Sequence, residues 1–411
     1  MPDFSARVLK TPSIVNNSAA FIKVSHGTAS YPVSINQEQW AYIYDNNGNV
    51  ERITSNIGNA VYGYDALDRL TSDDLPTQAA NPLTYDRNGN RTSIIEGITN
   101  TASTYLPNSN QLDTLGSSIG HDLAGNRISD QNGTRAFEYN NAGRLFKVYE
   151  NGSLIATYTY NYQGQRTRKV TASGTTVYHY DLNGSFISET DELGAPMKDI
   201  VYRNSIPIAQ IDVGLTSEFI TYLHSDHLGT PRRGTNENGI VVWNWDSDAF
   251  GTAVANDDSD GDGVSTVVNL RFPGQYYDQE TRLHYNYFRY YDPATGRYIT
   301  SDPIGLGGGV NTYGYVLGNP VMGIDPFGLA CCNRRTEVDM ACAGNANASF
   351  RRCMAVANGG NYICEPLCGR LPPPFSQICT GICSFGYRAD VSNCRRWLQE
   401  DLTRCTREVC D

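Results

Sequence analysis

None of the 11 cysteines in this 411-residue chain lies before Leu329, and no histidine or lysine follows it. Other absences narrow the classes further. No apolar run approaches the ~18 residues of a membrane-crossing helix, so no membrane span is expected. The opening Met1-Pro-Asp-Phe-Ser-Ala-Arg7 lacks the charged-then-apolar run of a secretory leader. Positive charge is also scarce: 32 Lys and Arg against 43 Asp and Glu give a net charge of −11, which disfavours a general nucleic-acid surface. The imbalance is uneven, because residues 330–411 carry ten Arg against eight acids. Without histidine, and without a C-x-x-C pair, that tail lacks the usual general base of nucleases and a zinc site. The length predicts two or three folded units. Because the chain starts among repeats with no cap, it is expected to be a fragment of a longer protein or a truncated gene.

What is present, first of all, is a repeat. The pattern aromatic-Asp/Asn-x-x-Gly recurs at Tyr44-Asp45, Tyr85-Asp86, His121-Asp122, Tyr139-Asn140, Tyr160-Asn161 and Tyr180-Asp181, with Gly48, Gly89, Gly125, Gly143, Gly164 and Gly184 closing each copy. Tyr64-Asp65 joins the series with Asp68 in the glycine position. The steps are 20, 21, 36, 18, 21 and 20 residues, so the long interval is expected to hide a degenerate copy. Alternating stretches such as Ala156-Thr-Tyr-Thr-Tyr160 favour half-buried strands, and Asn/Asp with Gly supplies tight turns. Each unit reads as a β-hairpin that buries its face only by stacking, giving a mainly β, curved sheet or partial shell. The repeat aspartates and tyrosines are assigned to turn chemistry and cross-strand packing, in preference to glycan binding. Further on, His224, Asp226 and His227 resemble a metal or acid–base cluster, but no further ligand is nearby and a loop role is preferred.

Asp258, Asp260 and Asp262 then alternate before Gly263, as oxygen ligands do in a calcium loop. Asn269 stands where an EF-hand needs a bidentate Glu, which excludes that motif. A weak dockerin- or thrombospondin-like calcium loop and a solvated acidic loop are left as equal readings; calcium is the one cofactor suggested.

The stretch from Arg271 to Leu329 is tyrosine-dense and bracketed by two near-copies of one pentapeptide, Asp302-Pro-Ile-Gly-Leu306 and Asp325-Pro-Phe-Gly-Leu329, 23 residues apart. With Phe272-Pro-Gly-Gln275, Tyr290-Tyr-Asp-Pro293 and Gly296-Arg-Tyr298, it resembles the core-associated segment of the rearrangement-hotspot (RHS) family, as the repeats resemble its YD repeats. The resemblance implies a delivered polymorphic toxin: a β-shell, a core ending in the second pentapeptide, then an unrelated C-terminal domain. It also implies that Asp302 and Asp325 form a self-cleaving aspartyl protease cutting Leu329–Ala330. Such chemistry uses two carboxylates ~3 Å apart that share a proton. On the residues alone, Asp-Pro and Gly-Leu are ordinary turn formers. Seven visible repeats also look too few to close a shell.

The tail places its cysteines at 331, 332, 342, 353, 364, 368, 379, 383, 394, 405 and 410, and from Cys342 the gaps run 11, 11, 4, 11, 4, 11, 11. Gaps of 4 and 11 return to one helix face. The palindrome centres on Gly369–Ile378, so an α-helical hairpin is predicted with Cys342–Cys405, Cys353–Cys394, Cys364–Cys383 and Cys368–Cys379 paired, one choice among 105. Cys331, Cys332 and Cys410 are left over. The spacing is similar to twin-cysteine helical hairpins, whose usual interval is one residue shorter, so no function is carried over. Arg351-Arg352 and Arg395-Arg396 could face phosphate or anionic lipid, but read better as solvated helix surface. No catalytic constellation is evident there.

Three parts are therefore expected: repeats over 1–240, the RHS core over 241–329 and the Cys-rich helical domain over 330–411. The leading function is the C-terminal part of a secreted or cell-surface RHS toxin that releases 330–411 by autoproteolysis. Its expected partners are a cognate immunity protein and upstream RHS repeats or a delivery apparatus, with no nucleic acid favoured. The alternatives are a cell-surface structural or adhesion protein with a stapled cap, and an inactive gene fragment.

Overall fold

The computed structural model describes residues 29–329, apart from 36–37, 56, 77, 97–98 and 215, together with the backbone of 332–333. The predicted helical hairpin and its four disulfides lie outside these residues. Within them the protein is mainly β. Nine antiparallel strands, from Ala29–Ile35 to Leu112–Leu115, form one sheet in strict sequence order, and thirteen more, from Gly120–His121 to Val241–Asn244, form a second. Neither sheet contains a crossover and neither closes on itself. No α-helix occurs among the described residues.

The turn chemistry read from the repeats accounts for the hairpins. In the first, Asp45 Oδ1 accepts the backbone N–H groups of Asn47 (2.9 Å) and Asn49 (2.8 Å), while Gly48, at φ 88°, donates to the Asp45 carbonyl. The same arrangement recurs at Asp65, Asp86, Asp122, Asn140, Asn161 and Asp181. Asp68 takes the left-handed conformation (φ 58°) in place of glycine, as Asp and Asn can. The long interval does hold a degenerate copy at Tyr105-Leu106, where Ser109 donates to the Leu106 carbonyl. Asp191, Asp226 and Asn236 make the same turn without an aromatic residue before them, so a pattern keyed on tyrosine passed over them.

The tyrosines link one repeat to the one before. The hydroxyls of Tyr64, Tyr105, Tyr139, Tyr160 and Tyr180 donate to the carbonyls of Val50, Arg91, Arg127, Leu145 and Arg166 at 2.6–2.8 Å. Each hydroxyl satisfies a carbonyl at the start of the preceding repeat's strand, and each ring is half-buried.

Residues 245–329 pack against both sheets as a filling. Phe137, Leu145, Tyr158 and Tyr178 meet Tyr276, Leu283, Tyr285 and Tyr290; Tyr42, Leu70 and Leu83 meet Phe250 and Val321. Trp243, Phe272, Tyr291, Tyr298 and Tyr315 make a third cluster. Repeat arginines pin the filling in place. Arg127 pairs with Asp292 (2.6 Å), Arg135 Nη1 donates to the Thr281 carbonyl (2.7 Å), and Arg166 pairs with Asp278 inside a ring of five tyrosines. The filling carries its own four-stranded antiparallel sheet: Tyr276–Asp278, Leu283–Asn286, Arg289–Asp292 and Arg297–Tyr298.

Candidate functional site

Both pentapeptides fold as turns, and the fold brings them together. Asp302 Oδ1 accepts the Ile304 N–H at 2.9 Å and Asp325 Oδ1 accepts the Leu329 N–H at 3.0 Å. Gly305 and Gly328 hold left-handed conformations at equivalent positions (φ 61° and 67°). The two carboxylates converge on Arg289, which projects from the strand Arg289–Asp292. Its Nη2 lies 2.9 Å from Asp302 Oδ2 and 3.3 Å from Asp325 Oδ2, and all three side chains are buried. One guanidinium nitrogen thus bridges the pair. Arg289 Nε donates to the Gly328 carbonyl and Nη1 to the Thr312 carbonyl (3.1 Å). Arg289 therefore holds the main chain of the second pentapeptide as well as its carboxylate.

The 325–329 loop is pressed into this site. A methyl group on Gly274, in the Phe272–Gln275 turn, would lie 2.0 Å from the Pro326 carbonyl oxygen, so only glycine leaves room for the loop. A methyl on Gly308 would lie 2.2 Å from Asp302 Oδ2 and 2.8 Å from the Leu329 carbonyl oxygen. That carboxylate and that carbonyl therefore border the same small space. Leu329 itself is buried at 5% exposure, Ala330 lies outside the described residues, and the backbone at Cys332–Asn333 pairs with Gly323–Ile324.

Burial pushes the Asp302 carboxyl up to about 7, against the downward pull of Arg289 and of the Ile304 N–H; the nearby Asp325 charge adds to the rise. Asp325, by contrast, is surrounded by donors: the Leu329 N–H, Arg289 and the Tyr298 hydroxyl at 2.8 Å. The two carboxyls thus occupy chemically distinct environments, one near its neutral form at physiological pH, as acid–base catalysis requires. Arg289 and Tyr298 escaped the sequence reading. The signal was indirect: two buried carboxylates require a buried cation nearby.

The other candidates separate. Asp258, Asp260 and Asp262 do cluster, with ligand oxygens within 4.8 Å of one another. Asp258 Oδ1 is buried without a hydrogen-bond partner, while Asp258 Oδ2 accepts the Gly263 N–H and Asp262 Oδ1 the Val264 N–H. Hard oxygen donors so arranged fit a calcium ion. His224, Asp226 and His227 do not converge. His224 Nε2 meets Thr235 Oγ1, Asp226 serves a turn and Arg232, and His227 Nε2 meets the Val321 carbonyl. These are structural roles: His224 lies in the strand Glu218–Ser225, and Asp226 and His227 lie in the turn after it.

Comparison with known proteins agrees with this architecture. Residues 58–306 match the family described as Teneurin YD-shell. The chain is 30% identical over 335 residues to Double-stranded DNA deaminase toxin A of Burkholderia cenocepacia, covering 70% of this chain and 22% of that protein. It is 43% identical over 121 residues to Toxin protein Tse5 of Pseudomonas aeruginosa, covering 29% of this chain and 9% of that protein. In structure it resembles TcdB2-TccC3 without its hypervariable C-terminal region, with a TM-score of 0.59 at 20% identity over 74% of this chain and 18% of that one. That likeness concerns the fold. The chain spans less than a quarter of the length of each of these relatives.

Proposed function

Because the chain belongs to the teneurin YD-shell family of RHS/YD-repeat proteins, we propose that it is the closing part of a toxin shell that cuts itself after Leu329. On this reading residues 1–240 are shell wall, 241–329 the processing core, and 330–411 a helical, disulfide-stapled effector freed by the cut. The observation that carries it is the convergence of Asp302, Asp325 and Arg289 on the backbone of Gly328 and Leu329.

Asp325, as carboxylate, takes a proton from a water attacking the Leu329 carbonyl carbon. Asp302, as neutral acid, gives its proton to the carbonyl oxygen. The new C–O bond makes a tetrahedral centre; the C–N bond to Ala330 then breaks, the departing amine takes the proton held by Asp325, and Asp302 recovers its own. Arg289 spans both carboxylates and fixes the Gly328 carbonyl, aligning the strand. Names that describe relatives as toxins support a delivered, extracellular role, with upstream repeats or a delivery apparatus and an immunity protein as partners. A calcium ion at Asp258, Asp260 and Asp262 would brace the acidic loop.

Intact mass of the purified chain, beside Asp302→Asn and Asp325→Asn under non-reducing conditions, tests the reading. A break after Leu329 in the parent and in neither variant is expected. Cleavage in both variants, or an uncut parent, would refute it, and the latter would favour a cell-surface structural protein. A mass deficit of fewer than four disulfides would sink the hairpin ladder.

A further inference from the structure

Tyr298 touches both charged partners of the site, and its hydrogen can be placed by elimination. Asn286 Nδ2 lies 2.9 Å from the Asp325 carbonyl oxygen and 2.8 Å from Tyr298 Oη. A backbone carbonyl can only accept, so the atom facing it is the amide nitrogen, and that nitrogen also donates to Tyr298 Oη. The single phenolic hydrogen is then left for Asp325 Oδ2, 2.8 Å away. On its other side, the ring lies beneath the Arg289 guanidinium, 3.6 Å from carbon to centroid. Tyr298 is fully buried, between Tyr291 and Tyr315. The charged or titratable groups facing it are Asp325, Arg289, Tyr291 and Tyr315. Burial first, and then the Asp325 charge, keeps the phenol protonated.

Resting on the cleavage reading above, we propose that Tyr298 is a positioning residue for self-cleavage: its ring is the floor that holds Arg289 between the two carboxylates, and its hydroxyl holds Asp325 as the hydrogen acceptor. The two functions separate by substitution. Phenylalanine keeps the floor and loses the donor; leucine loses both.

The test is the rate of cleavage after Leu329 in the full chain between pH 4 and 9, for the parent, Tyr298→Phe and Tyr298→Leu, with circular dichroism as the folding control. Tyr298→Phe is expected to cut about tenfold more slowly, with the acidic limb of its pH profile moved up by about one unit, because a hydrogen bond favouring the carboxylate is gone. Folded Tyr298→Leu is expected to lose cleavage. A purely structural tyrosine would lower the yield of folded protein and leave the limb in place. Site-specific 3-fluorotyrosine, a stronger donor of the same shape, covers the case in which Tyr298→Phe fails to fold. It should move the limb down, and an unmoved limb would overturn the proposal. Loss of cleavage in Asp302→Asn and Asp325→Asn together with a parental profile in Tyr298→Phe would sink this inference alone. Cleavage in the two aspartate variants would sink the reading beneath it.

Discussion

Gly308→Ala offers a stringent check on the arrangement at the proposed cut. Gly308 ends the 3-10 turn Gly305–Gly308, and its φ lies outside the left-handed region, so alanine suits the backbone. Restricting the unfolded chain would stabilise by about 0.4–1 kcal/mol. The new methyl, however, would sit 2.2 Å from Asp302 Oδ2 and 2.8 Å from the Leu329 carbonyl oxygen, where ordinary contact begins at 3.4 Å. The carboxylate or the carbonyl must retreat by about 1 Å, and a misplacement of that size costs a reaction on the order of 100-fold. Overpacking costs about 1–3 kcal/mol, so net destabilisation of about 1–2 kcal/mol leaves the protein folded. The readouts are a time course of intact mass and a urea midpoint. Gly305→Ala is the contrasting control. Its glycine has φ 61° with nothing within 4 Å, so it should lose about 1 kcal/mol through backbone strain and still cut. If Gly308→Ala cuts at the parental rate, the carboxyl of Asp302 and the carbonyl of Leu329 do not react from these positions.

Because the folded Asp302 value of about 7 lies above the ordinary 3.8, cleavage should fall as pH rises through about 7 and the acid loses its proton. The same shift contributes stability that is full below pH ~4 and gone above ~7; in urea melts, Asp302→Asn should lack that part of the slope. Asp278→Leu strands the fully buried Arg166 and is expected to cost about 3–5 kcal/mol, whereas Arg166→Met with Asp278→Leu should cost much less than the two singles combined. Additive costs in that double-mutant cycle would refute a coupled pair. Calcium should raise the melting temperature of the parent and not of Asp260→Asn, and chelation should reverse the gain; equal shifts in both would dismiss the loop as a site.

Much of the fold was legible because its rules are local. An Asx side chain that caps its own turn, followed by a left-handed residue, needs only five consecutive residues, and these declare themselves at Asp45, Asp86 or Asp181. Tyr105-Leu106 could be anticipated from the spacing alone. Asp191, Asp226 and Asn236 make identical turns after Thr or Ser, where no aromatic ring is needed to reach the previous repeat, so the pattern gave no cue. Asp302 and Asp325 stood out as twins. Their partners did not, because Arg289 and Tyr298 enter the site through pairing between strands Arg289–Asp292 and Arg297–Tyr298, a long-range result of packing. The histidine-rich stretch misleads for the same reason: His224 and His227 are close in sequence, yet one faces a neighbouring strand and the other a loop nearly a hundred residues away.

The loop wedged between Gly274 and Gly308 makes the carboxylates and their target one covalent object. Reaction there would be first order in protein, indifferent to dilution and closed to competing peptides, because no outside strand can match the local concentration of the chain's own. Each molecule would act once. Its new end, still gripped at Pro326 and Gly328, would stay behind as a stopper, so the device behaves as a fuse and not as a tool.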